Sequence, residues 1–304
     1  MKLFRDVLLV AGLDDGPVPR HVFDRALRLA QRDRAKLTLI DVCPDHDLAS
    51  EFLPPELFEF ELRKRRRALD RMAQAAQKEG VEVDTQVVTG TAFLEVTRRV
   101  QRFKHDLVMT SGGRAEEVGW ELDRTTMHLM RKCPCAIWVA RPSSGDDYAR
   151  ILAAVDPEAT DAESGSLNRK IMELAISMAK LEGSELHVVH VQDLFGWSMS
   201  ETTDLWKQWE MLARREIERR LHEFLSDYDL DPSPRVHLLA GKPEVGISSL
   251  ASEKQMDLLV MGTLCRTGIR GFLIGNTAEG VLRRVDCSLL TVKPDGFISP
   301  VQPS

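Results

Sequence analysis

The stretch DLVMTSGGR at 106–114 returns as DLLVMGTLCR at 257–266, and CPCAIWVA at 133–140 returns as VDCSLLTV at 285–292. Gly90 is answered by Gly241 after 151 positions and Cys135 by Cys287 after 152, so the register slips by a single residue over this region. A register held that long identifies two related copies, and a chain of 304 residues has room for both as domains with buried cores. The segment RPSSGDDYAR, with Pro142 and Gly145 among polar residues, reads as the linker near residue 146. The domains are therefore expected at 1–143 and 148–294, followed by an irregular tail at 295–304.

Each copy alternates short β-rich runs with longer helical stretches. The strands read DVLLVAGL, KLTLIDV, VEVDTQVV, DLVMTS and CAIWVA in the first copy, then RILAAVD, ELHVVHV, RVHLLA, DLLVMG and SLLTVK in the second. Several are almost continuously apolar, as strands are when helices cover both faces of a parallel sheet. Between them lie amphipathic stretches such as VPRHVFDRALRLAQRDR and LNRKIMELAISMAKLEG, the second ended by Gly183. The fold class is α/β: two tandem doubly wound domains, each with a five-stranded parallel sheet flanked by helices.

Composition narrows the function classes. A hydrophobic content of 43%, a charged content of 29% and a net charge of −6 describe a slightly acidic globular protein without an electrostatic pull toward nucleic acid or anionic lipid. The apolar run near the N-terminus is short and broken by charge, so neither a signal peptide nor membrane insertion is expected, and the expected location is cytoplasmic. Cys43, Cys133, Cys135, Cys265 and Cys287 lack the paired spacing of a zinc site or a disulfide framework, and read as reduced thiols.

From Val260 onward the second copy carries VMGTLCRTGIRGFLIGNTAEGVLRRVDCSLLTVK. This stretch resembles the universal stress protein family, and the tandem arrangement is similar to its two-domain bacterial members. The resemblance implies the adenine nucleotide alpha hydrolase-like fold, in which ATP-binding members show GxxG, nine residues, then Gly with Ser or Thr. Here those positions are Gly262, Cys265, Gly275 and Asn276, so two of the four depart from the pattern. The family's first-strand acid, which contacts adenine, matches Asp156, and the backbone at the end of its second strand matches Val191. The resemblance further implies ATP or another adenine nucleotide with magnesium as ligand, an unidentified protein partner, and copies packed as a pseudo-twofold pair through their fifth strands. A homodimer of tandem chains is a further implied assembly.

The same residues can be read physically. Doubly wound sheets bind ligands beyond the carboxyl ends of their strands, where Asp156, Val191 and Gly262 all fall. Asn276 followed by Glu279 reads as a capping box opening a helix, with Thr277 adding a hydroxyl and the free N–H groups suiting an anion. Against this, Cys265 puts a side chain where the pattern has none, and Gly262 and Gly275 could serve turns alone. In the first copy, the positions matching Gly275 and Asn276 are Asp123 and Arg124, and the position matching Asp156 is Gly12, with Asp14 nearby. A degenerate first site is expected, with Asp123 capping its own helix.

Other clusters carry less. Arg63 to Arg67 are surrounded by Glu56, Glu59, Glu61 and Asp70, which reads as a solvated helix. His187 and His190 stand at odd offset on one strand and face opposite sides, so they read as packing residues and no metal site is expected. Cys133 and Cys135 read as structural thiols. Phe195, Trp197, Met199, Trp206 and Trp209 crowd one stretch, as core or as an apolar pocket. No nucleophile elbow, metalloprotease helix or P-loop is present, so no catalytic residue is assigned and at most weak ATP hydrolysis is expected. Two function classes remain: a stress-response nucleotide-binding module acting through a partner, and an adaptor or carrier of a small amphiphilic ligand in the sheet-edge cleft.

Overall fold

Every strand expected from the apolar runs forms, and a single sheet takes in all ten. The computed structural model describes residues 3–13, 16–45, 54–112, 115–116, 119–120, 122–142, 147–158, 161–192, 204–263 and 275–303. The first copy runs β1 (Asp6–Leu13), β2 (Gly16–Pro17), α1 (Arg20–Asp33), β3 (Lys36–Cys43), α2 (Pro55–Lys78), β4 (Val83–Thr89), α3 (Ala92–Phe103), β5 (Leu107–Thr110), β6 (Ala115–Glu116), β7 (Gly119–Trp120), α4 (Arg124–Lys132) and β8 (Ala136–Val139). The second runs β9 (Arg150–Ala154), α5 (Ala162–Glu182), β10 (Glu185–Gln192), α6 (Asp204–Ser226), β11 (Arg235–Ala240), α7 (Pro243–Glu253), β12 (Leu258–Gly262), α8 (Asn276–Leu282) and β13 (Ser288–Val292).

The helices start and stop on local chemistry. The Asp161 side chain accepts the Ser164 N–H at 2.8 Å to cap α5, and Gly183 closes that helix with φ 67, a left-handed conformation that costs glycine little. Asp123 caps α4 as expected, taking both the N–H and the hydroxyl of Thr126 at 2.7 Å. One face of α1 carries the apolar stripe Val22, Ala26, Leu29 and Ala30 that the sheet requires.

Strand order is β11-β10-β9-β12-β13-β8-β5-β1-β3-β4. All neighbours along this path are parallel except β13 and β8, which pair antiparallel with Leu290 opposite Trp138. Antiparallel pairing of the two fifth strands is what a twofold relation between the copies demands. The seam is tied further: Arg141 donates its N–H to Ser288 Oγ at 3.0 Å and Nη1 to the Val285 carbonyl at 2.6 Å. Arg25 of α1 meets Glu182 of α5 at 3.4 Å and lies 3.7 Å over the Tyr148 ring, Arg25 and Tyr148 both being buried.

The cores divide differently from the sequence expectation of one per domain. Residues alternate along each strand, so Val7, Leu9, Leu37, Val188 and Val260 face one side while Leu8, Val10, Ile40, Val189 and Leu259 face the other. Helices α1, α2, α5 and α6 cover the first side, and α3, α4, α7 and α8 the second. Each core therefore spans both copies, because the β13–β8 ladder leaves no break in the sheet. Among the described residues the stretch after β13 has no helix or strand, and the Val301 carbonyl accepts Gln101 Nε2 of α3 at 2.9 Å. Among the described residues, no helix is long and apolar enough to cross a membrane.

Candidate functional site

In the second copy, β9 lies between β10 and β12, so the carboxyl ends of three adjacent parallel strands present Asp156, Val191 and Gly262 along one edge. Asp156 is held there by a buried asparagine of α5: Asn168 Nδ2 donates to the Asp156 carbonyl at 2.7 Å, and the Asp156 N–H donates to Asn168 Oδ1 at 3.0 Å. The Asp156 carboxylate accepts the Glu158 N–H at 3.2 Å, turning the chain as it leaves the sheet. Val191 is buried against α7, where a Cβ on Gly246 would come within 3.0 Å of its side chain.

The start of α8 is drawn to the same edge, because the Gly275 N–H donates to the Thr263 carbonyl at 3.3 Å just beyond β12. Here the structure corrects the capping-box reading. Gly275 is the N-cap, with φ −62 and ψ 146, and Asn276 and Thr277 are the first two helical residues. Among the described residues no side chain caps this helix, and Glu279 does not reach back to it. The Glu279 carboxylate instead takes Arg283 at 2.9 Å and Arg131 of the first copy at 3.0 Å, and these arginines hold it below the usual carboxylate range. Gly262 also has a packing reason to be glycine: a Cβ there would lie 2.5 Å from Leu167 Cδ2 of α5. Cys265, the side chain of Asn276, the aromatic stretch at 195–199 and the side chains of Trp206 and Trp209 lie outside the described residues.

Two residues at this edge were not among the expected site residues: Glu158, which the sequence did not single out, and His190, read there as packing. His190 is 4% exposed on β10, with Nδ1 3.1 Å from the Val155 carbonyl and Nε2 3.4 Å from Glu158 Oε2. Burial pushes its pKa down, opposed by the Val155 carbonyl and Glu158. One ligand atom each from Asp156, Glu158 and His190 lie within 4.8 Å of one another. His187 faces the other side, as its offset predicted, and bonds His237 at 2.9 Å.

The first copy fills its corresponding edge with its own side chains. Gly12 stands where Asp156 would be, and a Cβ on it would lie 2.4 Å from Asp41 Oδ2. Asp41, 6% exposed, is paired at 2.7 Å with Arg65, the member of the basic run on α2 that turns in from solvent. Asp14 lies outside the described residues.

The family model of the universal stress protein family matches residues 8–141 and again 147–293. The chain belongs to the universal stress protein family. It is 25% identical over 321 residues to universal stress protein E of Escherichia coli K12, covering 99% of this chain and 98% of that one. A universal stress protein of Pseudomonas aeruginosa UCBPP-PA14, known as a crystal structure, covers 97% of this chain and 95% of its own at 24% identity, with a TM-score of 0.75. One from Archaeoglobus fulgidus covers 95% and 96% at 16% identity, with a TM-score of 0.64. These likenesses run the full length, so the chain shares with these relatives the tandem universal stress protein architecture and not one domain of it.

Proposed function

We propose that this universal stress protein is a stress-response module that binds an adenine nucleotide in its second copy and acts through a protein partner. The observation that carries the reading is the asymmetry of two otherwise matching edges. In the first copy, the Asp41–Arg65 pair occupies the strand ends and Asp123 satisfies the first turn of α4. In the second, Asp156 stands at the strand end beside Val191, and among the described residues the first turn of α8 has no side-chain cap. Asp156 and the Val191 backbone would take the base, and the N–H groups around Gly275, Asn276 and Thr277 would face phosphate. Among the described residues no pair at this edge is arranged as nucleophile and base, and in this reading the nucleotide acts as a regulatory ligand.

The test is calorimetric titration of ligand-stripped protein with ATP, ADP and AMP in the presence of magnesium. Saturable binding with one site per chain is expected, lost in Asp156→Ala and unaltered in Asp123→Ala. A flat titration at millimolar nucleotide would end the nucleotide reading and favour the carrier or adaptor class.

A further inference from the structure

We infer that Asp156, Glu158 and His190 form a binding site for one first-row divalent transition-metal ion of the zinc type. The argument starts from the tautomer of His190. The Val155 carbonyl can only accept, so Nδ1 carries the hydrogen of that 3.1 Å bond and the neutral ring presents the Nε2 lone pair. That atom is buried and has no hydrogen-bond partner among the described residues. It faces Glu158 Oε2 at 3.4 Å, so the buried nitrogen lone pair of the neutral ring meets a carboxylate lone pair. Such an arrangement is unfavourable until a cation lies between the two atoms.

The surroundings suit a cation that accepts nitrogen. The three ligand atoms lie within 4.8 Å of one another, and to reach the distance of about 2.0–2.2 Å from a tetrahedral zinc they would draw closer together, with Glu158 the more exposed partner of the His190 pair. The backbone carbonyl on Nδ1–H is the usual outer partner of a metal-bound imidazole, and Asn168 fixes Asp156 from behind. One imidazole with two carboxylates selects zinc, manganese or iron(II) over calcium or magnesium, which prefer oxygen alone. At the matching edge of the first copy, the Arg65 guanidinium on Asp41 would repel a cation. Among the described residues this is the one cluster of its kind, and it shares Asp156 with the proposed nucleotide edge.

The full-length chain, stripped with chelator, would be titrated with cobalt(II) while visible d–d absorption is followed, and with zinc(II) by calorimetry. The expected result is saturation at one equivalent, with affinity lowered on the order of tenfold or more in Glu158→Gln and lost in His190→Gln. Glu158 is half-exposed, so its variant stays informative if the buried His190→Gln fails to fold. Absence of saturable metal binding, or binding unchanged in Glu158→Gln, would overturn the inference. A nucleotide titration of Glu158→Gln in chelator is expected to match the unsubstituted protein under the same conditions, which keeps failure of the metal site separate from failure of the nucleotide reading.

Discussion

The sixth residue of β3 is Asp41 and the sixth residue of β10 is His190; the seventh position from the start of β1 is Gly12, and the same count from the start of β9 reaches Asp156. The acid thus sits on the second strand in one copy and on the first strand in the other. In the first copy it meets an arginine from the following helix, and the edge closes on itself. In the second it stands near a histidine whose outer nitrogen has no hydrogen-bond partner among the described residues. Identical backbone topology therefore does not preserve a site. Two substitutions at neighbouring strand ends, with one arginine able to reach them, separate the self-paired edge from the one proposed to hold a ligand.

The largest expected effect that sharpens this contrast is in the first copy. Arg65→Ala leaves Asp41 buried without its cation and is expected to cost about 3 kcal/mol in urea denaturation, whereas Asp156→Ala should cost under about 1 kcal/mol. Equal losses from the two would break the distinction between a structural pair and a ligand edge. Next, Gly12→Ala drives a methyl into the Asp41 carboxylate and is expected to cost about 1–3 kcal/mol. Most of that loss should disappear when Gly12→Ala is compared with Asp41→Ser present in both proteins, and a full loss there would place the strain elsewhere.

The smallest effect concerns acid. His187 and His237 occupy the third positions of β10 and β11, where the first copy has Thr38 and Thr85. Burial lowers both histidine pKa values below 6.5, and the unfolded chain binds the proton more readily. Their contribution to stability is present above about pH 6.5 and is lost as pH falls through that value toward the folded pKa values. His187→Thr combined with His237→Thr should flatten part of the stability loss measured between pH 7.5 and 5.5. An unchanged slope would assign the loss to other histidines.

The repeat and the apolar runs made the ten strands, their parallel order within each copy and the Asp123 cap legible, because each depends on residues close in sequence. The pocket chemistry was less legible for a physical reason: it depends on register between strands. His190 looked like a packing residue until pairing of β9 with β10 set it beside Glu158. Arg65 looked like one charge among many, because nothing local says which residue of a solvated helix will turn inward. The start of α8 was misplaced by one residue since Asn is as good a cap as Gly, and only the backbone angles decide between them. Division of the cores by face rather than by copy follows from the β13–β8 ladder, a contact between residues far apart in the chain.

That ladder also bears on how the two edges came to differ. Were the same twofold pair built from two separate identical chains, every substitution would appear on both sides of the axis, and a change that plugged one edge would plug its twin. Joined through one polypeptide, the copies stay paired at any dilution. Each edge is then free to vary alone, so one can harden into a brace while the other keeps its reactive side chains.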